Sequence, residues 1–542
     1  MTNPSLTSPE ARSLPPTASR SLRTALVLAA GLLLVVHVVL LLRFAVDWPQ
    51  LDDFTQILAI PGYVIQLPTC HERLLLLTAL ELEHRAATVR ALGWIASLLP
   101  GGMNFVVLIV IGNAMLVAAA LFAVSWFPRE RRPAAAALAA LLLLSPTHYA
   151  AQYHATGALQ HFGISFFVLG ALHVLSRGRH PVATAALAAG ATFTSASGVL
   201  VFPAAVLLLA LLQRRGEAVA WAIGGAIVWA LYFVGHKSPH MGALLGVLVA
   251  DPLRVAHLVL ATLGCIGASV PVATGIGALA VLAWASIVAS GAWRRVPPVV
   301  LAAALSLALT CAMVAAGRAT LGIESVMLSR YRSYSGLFVL LTFAALSWAL
   351  PGRAWAAAGA AGIGCAGALF VQAWVVHLPA MAELSAAQLA LRDHYAADGH
   401  GHYFIYPREF GDFTLARARD IGSFRGVASP PSVPVSAPAS RPTARGAGPF
   451  HADVFEGRRA ASVYGWIAGR YDALELWMDR DGDAYRAPLV AIGFPAGPLG
   501  GIHTAFHGTV VVTGLPPGRY RVGVGTDGSL VWTDKEVVVE GP

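Results

Sequence analysis

Residues 24–46 read TALVLAAGLLLVVHVVLLLRFAV, and His37 and Arg43 are the ionisable side chains in the run. At 1.5 Å per residue, a helix of this length exceeds the ~30 Å hydrocarbon core of a bilayer. Comparable apolar runs follow near 103–127, 134–151, 157–176, 181–195, 198–213, 218–235, 272–292, 298–316, 335–350 and 355–377. The chain is 57% hydrophobic and 12% charged, against ~25% charged in soluble domains. A polytopic helical membrane bundle of about eleven transmembrane helices is therefore expected over residues 24–380.

Basic clusters punctuate the runs: Arg12/Arg20/Arg23, Arg129/Arg131/Arg132, Arg177/Arg179, Arg214/Arg215, Arg294/Arg295 and Arg353. Cytoplasmic loops collect Lys and Arg. Placing every cluster inside puts the N-terminus in the cytoplasm and the C-terminus outside. The net charge of +9 thus reads as topology rather than nucleic-acid binding. Parity makes 253–269 a re-entrant or interfacial helix. The Ser/Pro-rich residues 1–23 are expected to be disordered and cytoplasmic, and the first run, with no A-x-A site after it, is an uncleaved anchor. The four cysteines define no disulfide framework.

Beyond 377 the pattern changes. Residues 381–426 form a mixed extracytoplasmic segment, and 427–449 (VASPPSVPVSAPASRPTARGAGP) a Pro/Ser-rich linker. Residues 450–542 carry short alternating runs such as SVYGWI and RYRVGV, separated by Asp481-Gly482, Pro517-Gly518 and Asp527-Gly528. This predicts an all-β, sandwich-like domain. Asp479-Arg480-Asp481-Gly482-Asp483 has its glycine misplaced for a calcium loop and reads as a strand-connecting turn. Trp466, Trp477 and Trp532 read as core aromatics before a sugar platform.

Ten acidic residues lie between 24 and 380, and six of them (Asp47, Asp52, Asp53, Glu72, Glu81 and Glu83) fall in the long outer loop 47–102. Mid-membrane carboxylates of the kind that couple transport are missing, which directs attention to the outer surface. Asp52 and Asp53 are candidates for a general base, or for a helix N-cap with a solvated neighbour. The stripe Leu74–Leu77, Leu80, Leu82, Ala86, Val89 and Leu92 predicts amphipathic helices lying on the membrane. The loop GRATLGIESVMLSRYRSYSG (317–336) places Arg318, Arg330 and Arg332 outside, against the positive-inside bias. They are candidate phosphate ligands through the planar guanidinium fork; the plainer reading is snorkelling or pairing with Glu324. His148, His154 and His161 line a polar cavity in preference to a metal site.

These residues resemble the polytopic glycosyltransferases of the GT-C architecture that use polyprenyl-phosphate sugars. The resemblance rests on Asp52-Asp53 in a long outer loop after the first span, on His71-Glu72-Arg73-Leu74, and on Gly317-Arg318-Ala319 with Ser329-Arg330-Tyr331 before a late span. The β-domain, with Gly465-Trp466 and Pro517-Gly518-Arg519-Tyr520, is similar to one appended to such proteins. The acidic motif departs from the family pattern in being Asp-Asp-Phe. The resemblance implies a transferase at the outer face of a bacterial inner membrane. Its partners would be the lipid bilayer, a polyprenyl-phosphate sugar donor and a glycan or lipid acceptor, with no nucleic acid. It implies Asp52 and Asp53 as catalytic residues, and Arg330, Arg332, Arg318, His71 and Arg73 as donor-phosphate ligands. No cofactor or metal site is expected. Two other functions stay open: a lipid-linked glycan translocator, and a non-catalytic scaffold that binds through its β-domain.

Overall fold

The computed structural model describes residues 16–80, 84–178, 180–235, 247, 250–398, 408–422, 424, 433–434, 450–456, 460–468, 471, 473–494, 503–513, 515–526 and 529–540. Glu81, Glu83, Lys237, the Asp527-Gly528 turn and all of the 427–449 linker but Val433–Pro434 lie outside the described residues.

The protein is a helical bundle with a C-terminal β-domain. Among the described residues, six helices are long and apolar enough to cross a membrane: Arg20–Phe44, Phe105–Ser125, Ala155–Ser176, Val270–Ala289, Pro298–Gly317 and Gly352–Asp398. The pair Arg129–Leu143 and Pro146–Gln152, bent by 42°, makes a seventh if counted as one span. This corrects the expectation of eleven. The runs at 181–195 and 198–213 fold as the shorter helices Pro181–Thr192 and Ala196–Leu211. They pack so closely that a Cβ on Gly198 would meet the Ala191 carbonyl oxygen at 1.8 Å. Arg215–Tyr232 and Arg332–Ala349 have 18 residues each, but their first turns hold Arg215 and Glu217, or Arg332, Ser333 and Ser335. That leaves ~14 apolar positions where ~20 are needed. The segment expected to be re-entrant is the 12-residue helix Pro252–Leu263.

The bundle has two chemically different ends. At one, Arg131 donates to the Ser347 carbonyl, Arg214 to that of Leu175 at 2.8 Å, and Trp348 to that of Trp126 at 2.9 Å. Arg129, Arg131, Arg132, Arg177, Arg214 and Arg215 belong to this end. At the other end the loops 45–58, 145–156, 193–197 and 318–331 meet. The short helices Ala59–Gln66, Cys70–Thr78 and Ala87–Ser97 also belong to this end and expose Ile65, Leu74, Leu75 and Ile95. Asn104 caps the helix Phe105–Ser125, and the Asp47 carboxylate accepts from the Phe105 amide at 2.7 Å beside it.

The helix Gly352–Asp398 is 47 residues long with Pro379 inside it, so it runs far past the bilayer thickness. Its distal part packs beneath the β-domain. Tyr395 there meets Trp48, and Phe455 and Tyr464 of the β-domain share that core. The β-domain corrects the sandwich expectation. Its strands β2 (Phe450–Glu456), β3 (Ala460–Ala468), β4 (Leu474–Arg480), β5 (Asp483–Phe494), β6 (His503–Val511), β7 (Gly518–Thr526) and β8 (Ser529–Val539) run in the order β2-β3-β6-β5-β4-β7-β8, all antiparallel neighbours, with a two-residue β1 (Val433–Pro434) on β6. β8 comes back against β2, so the sheet curls into a nearly closed barrel. Closure shelters strand edges that would otherwise pair with other chains. Alternating Val463, Ile467, Leu476, Met478, Phe506, Val522 and Val537 fill it. Trp477, between Leu476 and Met478 on β4, faces the other side of the sheet and is buried there, close over Gly525. Asp481 (φ 52°) and Gly482 (φ 109°) form the two-residue turn between β4 and β5, with the left-handed backbone such hairpins require.

Candidate functional site

The site is built where the loop after the first candidate span meets the bend at 145–162. Leu51 has φ 40°, a conformation bulky residues avoid. It turns the chain so that Asp53 points inward. Asp53 is 1% exposed. Its Oδ2 accepts from the Gln50 amide at 3.0 Å, and its Oδ1 accepts from the Thr156 amide and hydroxyl, both at 2.7 Å. His154 Nε2 stands 3.3 Å from the same Oδ1 and 3.1 Å from the Gln50 carbonyl. Gln50 in turn donates to the Tyr153 carbonyl at 2.8 Å. Burial pulls the His154 imidazole down, but the Asp53 charge and hydrogen bond, with help from Asp52, win and raise it above the usual histidine range. Asp53 thus spends its carboxylate on locking two loops together, whereas Asp52 is half-exposed.

A π-turn at Phe54–Leu58 follows the acidic pair, and a second at Ala158–Phe162 carries His161. Such widened turns recur at functional sites because they redirect a side chain within a helix. His161 shares a hydrogen bond with Tyr334 Oη through Nδ1 at 2.9 Å. It meets the rings of Tyr331 and Tyr334 edge-on, at 5.6 and 5.8 Å between centroids. Tyr331 is held by both arginines. Arg318 donates to its hydroxyl at 3.0 Å and lies 5.9 Å from its ring centroid, and Arg330 lies 5.3 Å from that centroid, within cation–π range. Arg330 Nε is enclosed and has no hydrogen-bond partner among the described residues. A polar atom left unmatched in this way costs stability unless something else supplies the acceptor.

Two groups of contacts thus share the segment 154–162: Asp53 meets His154 and Thr156 at its start, and His161, near its end, meets Tyr331, on which Arg318 and Arg330 lie. Other sequence candidates sit differently. Arg332 is two residues from Arg330 but faces elsewhere: it is buried and donates to Thr147, the Met327 carbonyl and His377. It lines a separate cavity of about 650 Å³, with Tyr149, Ser269, Glu324 and His377 among its walls. Ser329, whose hydroxyl accepts from the Ala150 amide at 3.1 Å, also lines this cavity. Glu72 and Thr69 form a reciprocal cap at the start of Cys70–Thr78. In that same turn Arg73 donates to the Leu67 carbonyl at 3.0 Å, and His71 is exposed. These are local structural roles, not contacts to the Asp53–Arg330 cluster. Among the described residues, no group of three or more His, Cys, Asp or Glu side chains is arranged to hold a metal ion. His148 hydrogen-bonds the Leu142 carbonyl at 2.9 Å inside the bend.

Sequence reasoning missed Thr156, Tyr331 and Tyr334 at this site, and Thr147, Tyr149 and His377 around Arg332. Of these, the tyrosines had a signal: they interleave with the arginines in Arg330-Tyr331-Arg332-Ser333-Tyr334. No family model matches the chain, and comparison with curated proteins and with solved structures yields no match.

Proposed function

We propose that this protein is a membrane glycosyltransferase that moves a sugar from a polyprenyl-phosphate donor to a glycan or lipid acceptor at the outer face of a bacterial inner membrane. The observation that supports it is that one short segment, 154–162, holds Asp53 against His154 and carries His161 beside Tyr331, on which lie Arg318 and Arg330, the latter with an unmatched Nε. In this reading the acceptor hydroxyl attacks the anomeric carbon while Asp52 takes its proton. The bond from that carbon to the phosphate oxygen breaks, and the electron pair leaves with the phosphate. Arg330, seconded by Arg318, stabilises that departing charge. Asp53 acts as a positioning residue, holding His154 and the 50–53 turn against Thr156. Arg332, His71 and Arg73 fall outside this assignment.

The test is turnover of polyprenyl-phosphate sugars by the purified protein. The wild type should transfer, and Asp52→Asn should lower turnover ~10²–10⁴-fold with little change in donor binding. Failure of every such donor to bind, or an Asp52→Asn variant with undiminished turnover, would defeat the proposal. Sidedness is checked separately: alkaline phosphatase fused after residue 542 should be active, as the placement of all basic clusters inside requires.

A further inference from the structure

We propose that the cavity beside Arg332 is a second binding site, separate from the Asp52–Arg330 cluster, and that it takes the phosphodiester headgroup of a membrane lipid. Arg332 is 7% exposed, and no carboxylate among the described residues forms an ion pair with it. Its Nε donates to the Met327 carbonyl at 3.3 Å. Its Nη1 serves the Thr147 hydroxyl at 2.7 Å, the Thr147 carbonyl at 3.3 Å and His377 Nε2 at 2.7 Å. Nη2 has no partner among the described residues, which leaves two N–H donors for the cavity. A guanidinium this deeply enclosed without a counter-charge is costly, and an oxyanion in the cavity would supply the missing charge.

The neighbouring groups fit the same ligand. Because Arg332 has only N–H to offer, His377 Nε2 is the acceptor and the proton of the neutral ring sits on Nδ1. Tyr149 stacks on His377, with centroids 5.6 Å apart, and fixes that ring. The inner wall is thus rich in donors. One exposed carboxylate, Glu324, stands at the cavity wall. A single guanidinium facing a nearby carboxylate suits a singly charged diester better than a doubly charged free phosphate.

The remaining wall indicates a lipid. Val270, Pro271, Met327 and Leu328 supply apolar surface. Val270 and Pro271 begin the helix Val270–Ala289, a candidate span with 22% of its apolar window buried in the protein. Its Val272, Leu279 and Leu282 are exposed, so the cavity lies beside a face that meets acyl chains. A phosphate held by Arg332 would leave its chains on that face. This assignment does not depend on the transferase reading.

The experiment is native mass spectrometry of the full-length protein in non-ionic detergent, titrated with phosphatidylglycerol and with glycerophosphoglycerol, the same diester without acyl chains. Phosphatidylglycerol should bind one per protein, and glycerophosphoglycerol at least tenfold more weakly. Arg332→Gln should weaken the lipid about tenfold or more, as expected for a lost charge-assisted contact. Ser269→Trp fills the cavity and keeps the Arg332 bonds; Ser269 makes no side-chain cap bond, so this variant carries the test even if Arg332→Gln misfolds. Asp52→Asn should leave lipid binding unchanged. Undiminished lipid binding in Ser269→Trp would overturn the site. Equal affinity for glycerophosphoglycerol would overturn the lipid as its source.

Discussion

Replacing Asp53 with asparagine separates a catalytic from a positioning role for the acidic pair. The carboxylate accepts three hydrogen bonds and faces His154 at 3.3 Å. Asparagine has one oxygen for these donors. If that oxygen serves Thr156, the new amide N–H group confronts the Gln50 N–H, and one enclosed donor goes unmatched at a cost of about 1–3 kcal/mol. His154 also loses its counter-charge, and breaking a buried pair costs about 3–5 kcal/mol in total. The two costs overlap, so Asp53→Asn is expected to destabilise the protein by about 3–5 kcal/mol. Asp52→Asn, at a half-exposed position, should cost under ~1 kcal/mol. Denaturant unfolding of the detergent-solubilised variants, followed by tryptophan fluorescence, measures both. Wild-type stability in Asp53→Asn together with abolished turnover would refute the reasoning and make Asp53 the base.

Arg330→Lys keeps the charge but loses the planar fork. Donor affinity should fall about tenfold, with a smaller change in unfolding, and equal donor affinity would remove Arg330 from the site. His154 has a folded-state pKa above its unfolded value, so its pairing with Asp53 contributes stability fully present below about pH 6.5 and lost as pH rises through the raised value. His154→Gln should flatten the stability profile across that window, and an unchanged profile would place its source elsewhere. Gly277→Ala puts a methyl group 2.0 Å from the Leu260 carbonyl oxygen. It should destabilise the pair Pro252–Leu263 and Val270–Ala289 by about 1–3 kcal/mol, as read from proteolysis of the 264–269 turn.

The apolar runs made the helices legible, because a bilayer excludes charge whatever the packing. Their number was not legible. A run such as 181–213 has the composition of two spans, but the break at Ser195–Gly198 is set by how closely Gly198 approaches Ala191, and composition carries no trace of that distance. Strand alternation likewise revealed the β-domain without its closure. That depends on β5 pairing with both β4 and β6, and on the irregularity between Arg521 and Gly523 in β7. The acidic pair and the outer arginines stood out because charge is scarce in this chain. His148, His154 and His161 were legible only as polar lining, since a histidine in an apolar helix has the same pattern whether it fills a core or faces a site.

The division of labour between Arg330 and Arg332 follows from one short helix. Ser329–Tyr331 is a 3₁₀ turn, and Arg332 both ends it and opens the helix Arg332–Ala349. At ~3 residues per turn, side chains two positions apart differ by roughly 240° about the axis. They therefore project in different directions, one toward Tyr331 and His161 and the other toward Thr147 and His377. An α-helical continuation through Ser329 would place them nearer 200° apart, still divergent, so sequence proximity alone never argued for a shared ligand. What holds the turn in register is Ser329, whose hydroxyl takes the Ala150 amide and so ties it to the same bend that supplies Thr147, Tyr149, His154 and Thr156. One bend thus sets both environments: through Thr156 it fixes the acidic pair, and through Thr147 it fixes Arg332. A displacement of the bend would be felt at both, which makes the 145–156 segment, and not either arginine alone, the element on which the geometry of this end of the bundle depends.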